Sequence, residues 1–262
     1  MIDEDTKKIK TIKNEEIAQL KEDLKPLIGV QFDILSIPKS VMSDIEPSQV
    51  GTIVGTLMDA SIPVLDKMPT TDESGEFPNV GITQHAGILG DREGYPDYMH
   101  TSGKRLELKL VFVDNPKVKM KKPATPREPS ARLTQKVTVK NVKPSQDLLL
   151  VIAYQLAENK QRKGYYSPTI KDFDLFPVIE CINARDQRMI NSGGRWFGNY
   201  ETPTILSKIG RQKLKAGIEL DTSSYGRKES EGKDFNEDTN FGKLKRIPYM
   251  PLQAFLNKHK KI

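Results

Sequence analysis

The feature that most constrains the fold is a near-continuous apolar run at residues 147–156, DLLLVIAYQL. A strand that is apolar at consecutive positions is buried on both faces, which is typical of a central strand covered by layers on either side. A buried helix is the alternative interpretation, because periodicity alone does not separate the two in a short apolar run. As a strand, the run indicates an α/β domain with a mixed central β-sheet, flanking helices and long loops.

Further elements can be placed around this run. Residues 105–114, RLELKLVFVD, alternate and then become uniformly apolar, so they are predicted to form a strand. Residues 176–182, FPVIECI, are predicted to form another buried strand, followed by a short helix at 183–190. The remaining predictions are helices at 14–28, 47–60 and 203–215, and loops at 66–94 (with room for one short strand), 115–130 and 221–240.

Length and composition limit the class of protein. The 262 residues suffice for one large domain, and no stretch approaches the roughly 18 apolar residues of a transmembrane helix. The acidic start, Met1 to Asp5, has no apolar core behind it, so no secretory signal is expected. The single cysteine, Cys181, excludes an internal disulfide framework. We therefore expect one cytoplasmic domain over 1–262, with an N-terminal helical part (1–65), a sheet core (95–182) and a C-terminal part (183–262).

Positive charge is concentrated at residues 115–143. This segment holds nine basic residues and one acid, a net charge of +8, whereas the whole chain has a net charge of +6. A polyanion such as DNA would meet this segment first, although a solvated loop is the alternative. Arg185, Arg188 and Arg195 are interpreted as surface residues or phosphate contacts. The residues expected to contact DNA are Lys119, Lys121, Lys122, Arg127, Arg132 and Lys136.

The residues that indicate chemistry lie between positions 95 and 114. The turn signal Thr101-Ser102-Gly103-Lys104 predicts that residues 95–100 fold back onto the strand at 105–114. Because side chains alternate along a strand, Glu107 and Lys109 share one face, and Asp97 can approach both. Two carboxylates and an ammonium group at one place suit Mg²⁺-assisted hydrolysis of a phosphodiester bond.

The order Pro96-Asp97, nine residues, then Glu107-Leu108-Lys109 resembles the motif of the PD-(D/E)xK nuclease superfamily. The resemblance covers about fifteen residues and implies a restriction-endonuclease-like core with the motif on a β-hairpin. It also implies Asp97, Glu107 and Lys109 as catalytic residues, with Asp97 and Glu107 as ligands of Mg²⁺. For a chain of this length, it implies a Type II restriction endonuclease that cuts a short double-stranded DNA site as a homodimer.

Alternatives remain open at the level of the sequence. A repair or recombination nuclease of the same superfamily would share the chemistry, and a non-catalytic nucleic-acid-binding protein would need only the basic segment. Many relatives add an acid from an N-terminal helix; Asp59 is a candidate, although a solvated aspartate at a helix end is the favoured interpretation. No P-loop and no strand-linked G-x-G-x-x-G is present, so no nucleotide cofactor is expected.

Overall fold

A six-stranded mixed β-sheet forms the centre of the computed structural model, which describes residues 11–68, 77–85, 95–124, 129–133, 142–191 and 242–259 and short pieces at 137, 139, 195–196, 203–204 and 216. The α/β class and the mixed sheet with flanking helices are thereby confirmed. The helices are α1 (Asn14–Leu24), α2 (Pro47–Ser61), α3 (Val178–Asn191) and α4 (Met250–Lys258), with short 3₁₀ helices at Lys25–Leu27, Lys39–Asp44, Ile62–Lys67 and Leu244–Arg246. The strands of the sheet are β1 (Ile37–Pro38), β2 (Ile82–Gln84), β3 (Tyr98–His100), β4 (Arg105–Phe112), β5 (Asp147–Glu158) and β6 (Tyr165–Pro177).

The strand order across the sheet is β1-β6-β5-β4-β3-β2. The pair β4–β5 is parallel, with Glu107 opposite Leu149 and Lys109 opposite Val151. The other pairs in this sheet are antiparallel. The apolar run at 147–156 is therefore a central strand, as predicted, and it extends to Glu158.

Two apolar layers cover the sheet, which explains why β5 is apolar on both faces. On one face, Leu148, Leu150 and Ile152 pack with apolar residues of α1 and α2. On the other face, Leu149 and Val151 pack with apolar residues of α3 and α4. Residues 148–154 of β5 are all buried, so burial on both faces stabilises this strand most directly.

The prediction of a buried strand at 176–182 is wrong. The strand β6 ends at Pro177, and α3 begins at Val178. Within 178–188, the part of α3 whose side chains the structure describes, the buried residues are Val178, Cys181, Ile182, Arg185 and Asp186. These positions have the spacing of one helix face. Because Arg185 and Asp186 are polar, a search for apolar residues alone does not detect the face.

The prediction of a helix at 203–215 is wrong at its start. Pro203–Thr204 forms a short strand, β8, paired with β7 (Arg195–Trp196), and all of 205–215 lies outside the described residues. Within the described ranges, no helix is both long enough and apolar enough to cross a membrane.

Candidate active site

The β3–β4 hairpin brings the two halves of the motif together. Tyr98 pairs with Leu106 and Met99 with Arg105 in antiparallel register, as the turn signal predicted. The turn is closed by the backbone N–H of His100, which donates to the carbonyl oxygen of Lys104 over 2.8 Å. Gly103 adopts a φ of 79°, which favours glycine. The hairpin therefore holds Asp97, directly before β3, beside the middle of β4.

Asp97 is fixed by the backbone of the strand it faces. The strand β3 begins at Tyr98, which pairs with Leu106 of β4. Leu108 therefore lies beyond the last residue pair between β3 and β4. The Leu108 N–H instead donates to the Asp97 Oδ2 atom over 2.7 Å. A charge-assisted hydrogen bond to a rigid strand orients the carboxylate.

Glu107 and Lys109 lie on the same face of β4 and contact each other. The Lys109 Nζ atom is 2.7 Å from Glu107 Oε1 and 3.5 Å from Asp97 Oδ2. The structure thus brings together the three residues that the sequence singled out. Exposure of the Lys109 and Glu107 side chains is only 18% and 7%, so their charges interact with little screening by solvent.

Opposing effects act on the pKa of the Glu107 carboxyl group. Burial raises the pKa of Glu107 to about 7; the charge of Asp97 adds to the increase, and Lys109 opposes it. The Glu107 Oε2 atom is buried and has no hydrogen-bond partner among the described residues. A buried carboxylate oxygen without a donor is costly, and a cation or a proton would relieve that cost.

Asp59 joins this cluster from helix α2, contrary to the favoured interpretation of it as a solvated residue. The Tyr98 hydroxyl donates to Asp59 Oδ1 over 2.7 Å. Burial raises the pKa of Asp59; the hydrogen bond from Tyr98 opposes this, and the charge of Asp97 adds to it. The pKa of Lys109 is raised because Glu107, Asp97 and Asp59 together outweigh the effect of its burial. Sequence reasoning underrated Asp59 because its partner Tyr98 lies 39 positions away.

The donor set fits a hard divalent cation. Mg²⁺ is usually held by one or two carboxylates, with water and substrate phosphates completing its ligands. Asp97 and Glu107 provide two carboxylates. The Glu107 Oε2 atom is buried without a hydrogen-bond partner among the described residues, and a bound cation would compensate its negative charge. Among the residues described, no group of three or more His, Cys, Asp or Glu side chains is placed so that it could hold a metal ion. The residues therefore fit a site shared between protein and substrate, in which Asp97 and Glu107 would hold Mg²⁺.

The raised pKa of Glu107 predicts a pH-dependent stability in the absence of metal. Between about pH 5 and pH 7 the folded protein retains a proton that the unfolded chain loses, so stability falls as the pH rises. Glu107→Gln removes this dependence. We expect the free energy of unfolding of the variant, relative to that of the wild type, to increase from pH 5 to pH 7. Urea denaturation in the presence of a chelator measures this difference.

Glu158→Gln provides the control for this measurement. Glu158 is exposed, and the hydrogen bond from Lys39 lowers its pKa, so its contribution is constant above pH 5. Its difference from the wild type should stay flat across the same window. A flat difference for Glu107→Gln as well would contradict the raised pKa of Glu107.

The basic segment is only partly within the described residues. Lys119, Lys121 and Lys122 are exposed. Arg132 is half-buried and forms an antiparallel backbone bridge with Lys243. Arg127 and Lys136 lie outside the described residues. The bridge joins the basic segment to the C-terminal part of the chain, so two regions that are far apart in the sequence lie side by side.

Arg185 anchors the far end of the basic segment from inside the core, which corrects its interpretation as a surface residue. Its side chain is 1% exposed and pairs through Nε with Asp186 Oδ1 at 2.8 Å. Its two terminal nitrogens donate to the carbonyl oxygens of Leu133 at 3.3 Å and Val137 at 2.9 Å. The side chain of Arg195 lies outside the described residues.

Comparisons with protein-family models, curated proteins and solved structures found no match to this chain.

Proposed function

We propose that this protein is a Mg²⁺-dependent Type II restriction endonuclease with a restriction-endonuclease-like core, which hydrolyses phosphodiester bonds at a short double-stranded DNA site. The observation that carries the proposal is the convergence of Asp97 and Glu107 on the Lys109 ammonium group, at 3.5 Å and 2.7 Å. A protein that only bound nucleic acid would need no such buried acidic cluster. The order of the motif along the hairpin supports the same superfamily.

Each residue has a separate role in the proposed reaction. Asp97 and Glu107 would hold Mg²⁺, which when bound polarises the scissile phosphate and lowers the pKa of water. Lys109 orients the attacking water and stabilises the negative charge that develops on the phosphate oxygens. The Leu108 N–H keeps Asp97 in place. Asp59 adds negative charge that favours cation binding.

The deciding experiment is incubation of phage-length DNA with the protein and Mg²⁺. Discrete bands support a restriction endonuclease, and a smear supports a repair or other less specific nuclease. Intact DNA that is nevertheless bound supports a non-catalytic binding protein. Mn²⁺ is expected to replace Mg²⁺, whereas Ca²⁺ should support binding without cleavage because it is the poorer activator of water. Full cleavage in excess chelator would contradict the metal requirement.

The exposed lysines of the basic segment are proposed to contact DNA phosphates. Replacing Lys119, Lys121 and Lys122 together by alanine should weaken binding to all sequences and reduce the slope of log K against log salt by up to about 3. Binding is measured with Ca²⁺ at several salt concentrations. The matched control replaces Lys160, Arg162 and Lys163, which are equally exposed in the turn between β5 and β6.

This control separates the effect of losing three positive charges from the effect of where those charges lie on the protein. The β5–β6 turn begins after Glu158, seven residues along β5 from the partner of Lys109, which corresponds to about 23 Å of strand. Removing three charges there should change the slope less than removing the three lysines. An equal slope for the wild type and the Lys119, Lys121 and Lys122 variant would show that these side chains are only solvated.

A homodimer is proposed as the active form. One active site cuts one strand, and two antiparallel strands related by a two-fold axis require two sites with the same symmetry. A palindromic site would then be read as two halves. Sedimentation of the protein with a cognate duplex in Ca²⁺ is expected to give two chains per duplex. One chain per duplex, or lasting nicked circles from a one-site plasmid, would contradict the dimer.

A further inference from the structure

A buried carboxylate behind the active site contacts both segments that carry the acidic residues. Asp147, the first residue of β5, is 1% exposed. Its Oδ2 atom accepts hydrogen bonds from the Tyr95 hydroxyl over 2.7 Å and from the Lys143 N–H over 2.9 Å. Its Oδ1 atom lies 2.9 Å from Arg105 Nε. The carboxylate therefore joins three parts of the chain at one point.

Two of these contacts are made to residues that stand two positions before the proposed metal ligands in the sequence. Tyr95 stands two residues before Asp97, in the segment that enters β3. Arg105 stands two residues before Glu107 on the same face of β4, in parallel register with Asp147. The Arg105 guanidinium also lies 5.5 Å from the centre of the Tyr95 ring, which closes the triangle. Moving Asp147 would thus move both ligand-bearing segments.

Stability alone is a weak reason for such an arrangement. Removing two charges and a hydroxyl from water costs free energy, and apolar side chains of similar volume often give equal or greater stability. What the polar triangle supplies, and apolar packing does not, is directional hydrogen bonding that fixes orientation. Precise orientation matters most for groups that must hold a ligand, because supporting contacts govern its affinity.

We propose that Asp147 is a positioning residue, which through Tyr95 and Arg105 holds Asp97 and Glu107 in the relative orientation that binds a divalent cation. This inference rests on the proposed function, because it assigns a purpose to the geometry of the same site. Asp147 itself contacts neither Lys109 nor the proposed ligands through any hydrogen bond or ion pair of the described residues. Its effect is exerted through the two side chains that it contacts.

The test measures the affinity of the whole protein for Mn²⁺ alone, by the electron paramagnetic resonance signal of the free ion, without DNA. Asp147→Asn and Tyr95→Phe should each weaken Mn²⁺ binding several-fold, up to about the 10-fold that is the lower bound for losing a hydrogen bond made to a ligand itself. Because both remove the same hydroxyl–carboxylate contact, the double variant should bind Mn²⁺ more tightly than the product of the two single effects predicts. Urea denaturation establishes that each variant is folded under the conditions of the titration.

Tyr154→Phe is the matched control, since Tyr154 is a buried tyrosine that packs in the core on the opposite face of the sheet. The substitution Tyr154→Phe also removes one hydroxyl group, and it should leave the affinity for Mn²⁺ unchanged. If Asp147→Asn does not fold, Tyr95→Phe, which keeps the ring, still tests the proposal. Wild-type affinity in folded Tyr95→Phe would overturn the inference and leave the proposed function intact. An Mn²⁺ affinity that is unchanged after Asp97→Ala would overturn both.

Discussion

Replacing Asp97 or Glu107 by alanine is expected to reduce DNA cleavage by about 10³-fold or more, while binding to the duplex in Ca²⁺ changes much less. Losing a metal ligand removes several kcal/mol of transition-state stabilisation, and each 1.4 kcal/mol is about tenfold in rate. Under the proposed function, other residues would contact the phosphate backbone, so binding would be separable from this chemistry. Single-turnover cleavage and a binding titration measure the two effects independently.

Glu158→Ala is the control for these variants. Glu158 is an exposed acid at the far end of the neighbouring strand β5, where it pairs with Lys39. Its loss should leave the rate of cleavage unchanged. Cleavage at the wild-type rate by Asp97→Ala or Glu107→Ala would show that the cluster is not the active site, whatever its geometry.

Arg185→Ala is expected to lower the free energy of unfolding by about 3–5 kcal/mol, the usual cost of removing one partner of a buried ion pair. The substitution leaves Asp186 without its Nε contact and frees the carbonyl oxygens of Leu133 and Val137 from two donors. Urea denaturation measures the change. This prediction concerns the fold and holds whether or not the protein is a nuclease.

Arg162→Ala is the matched control for this measurement. Arg162 is exposed and contacts Tyr165 through a hydrogen bond of 2.9 Å and through the face of its ring. An exposed contact of this kind contributes at most about 1 kcal/mol. A loss of stability in Arg185→Ala no greater than that of Arg162→Ala would mean that the buried guanidinium contributes no more than a surface one.

The hairpin and the central strand could be predicted because their signals are local. The turn residues before Arg105 set the register that carries Asp97 to the middle of β4. The apolar run of β5 identified a strand with a layer on each face. In both cases the residues that determine the structure are neighbours in the sequence, so their pattern is complete without knowledge of the fold.

The strand β6 and the helix α3 depend on partners that are distant in the sequence. Two aspartates interrupt the apolar pattern of β6, and they are neutralised by ion pairs: Asp172 with Lys258 and Asp174 with Lys21. In α3 the buried stripe continues through Arg185, whose acceptors lie about 50 positions earlier. A charged residue in the core looks like a surface residue until its partners are known.

The candidate site divides in the same way. Asp97, Glu107 and Lys109 follow from one hairpin, whereas Asp59 approaches from α2 through Tyr98, and Asp147 of β5 contacts the segment before β3 through Tyr95. No spacing rule relates these two acids to the motif. Asp59 was one candidate among the acids at helix ends, and Asp147 gave no signal, until their contacts to Tyr98 and Tyr95 were known.

The mixed pairing of β5 has a consequence for how the protein is made. The antiparallel pair β5–β6 needs only the turn at 159–164, whereas the parallel pair β4–β5 must first close the connection at 113–146. A short closure is faster and costs less chain entropy than a long one. On the ribosome, β4 emerges with Glu107 before its parallel neighbour β5 has been synthesised. The candidate site therefore gains the strand beside Glu107 and Lys109 only after this long connection has closed, and a nascent chain that ends before β5 lacks that strand.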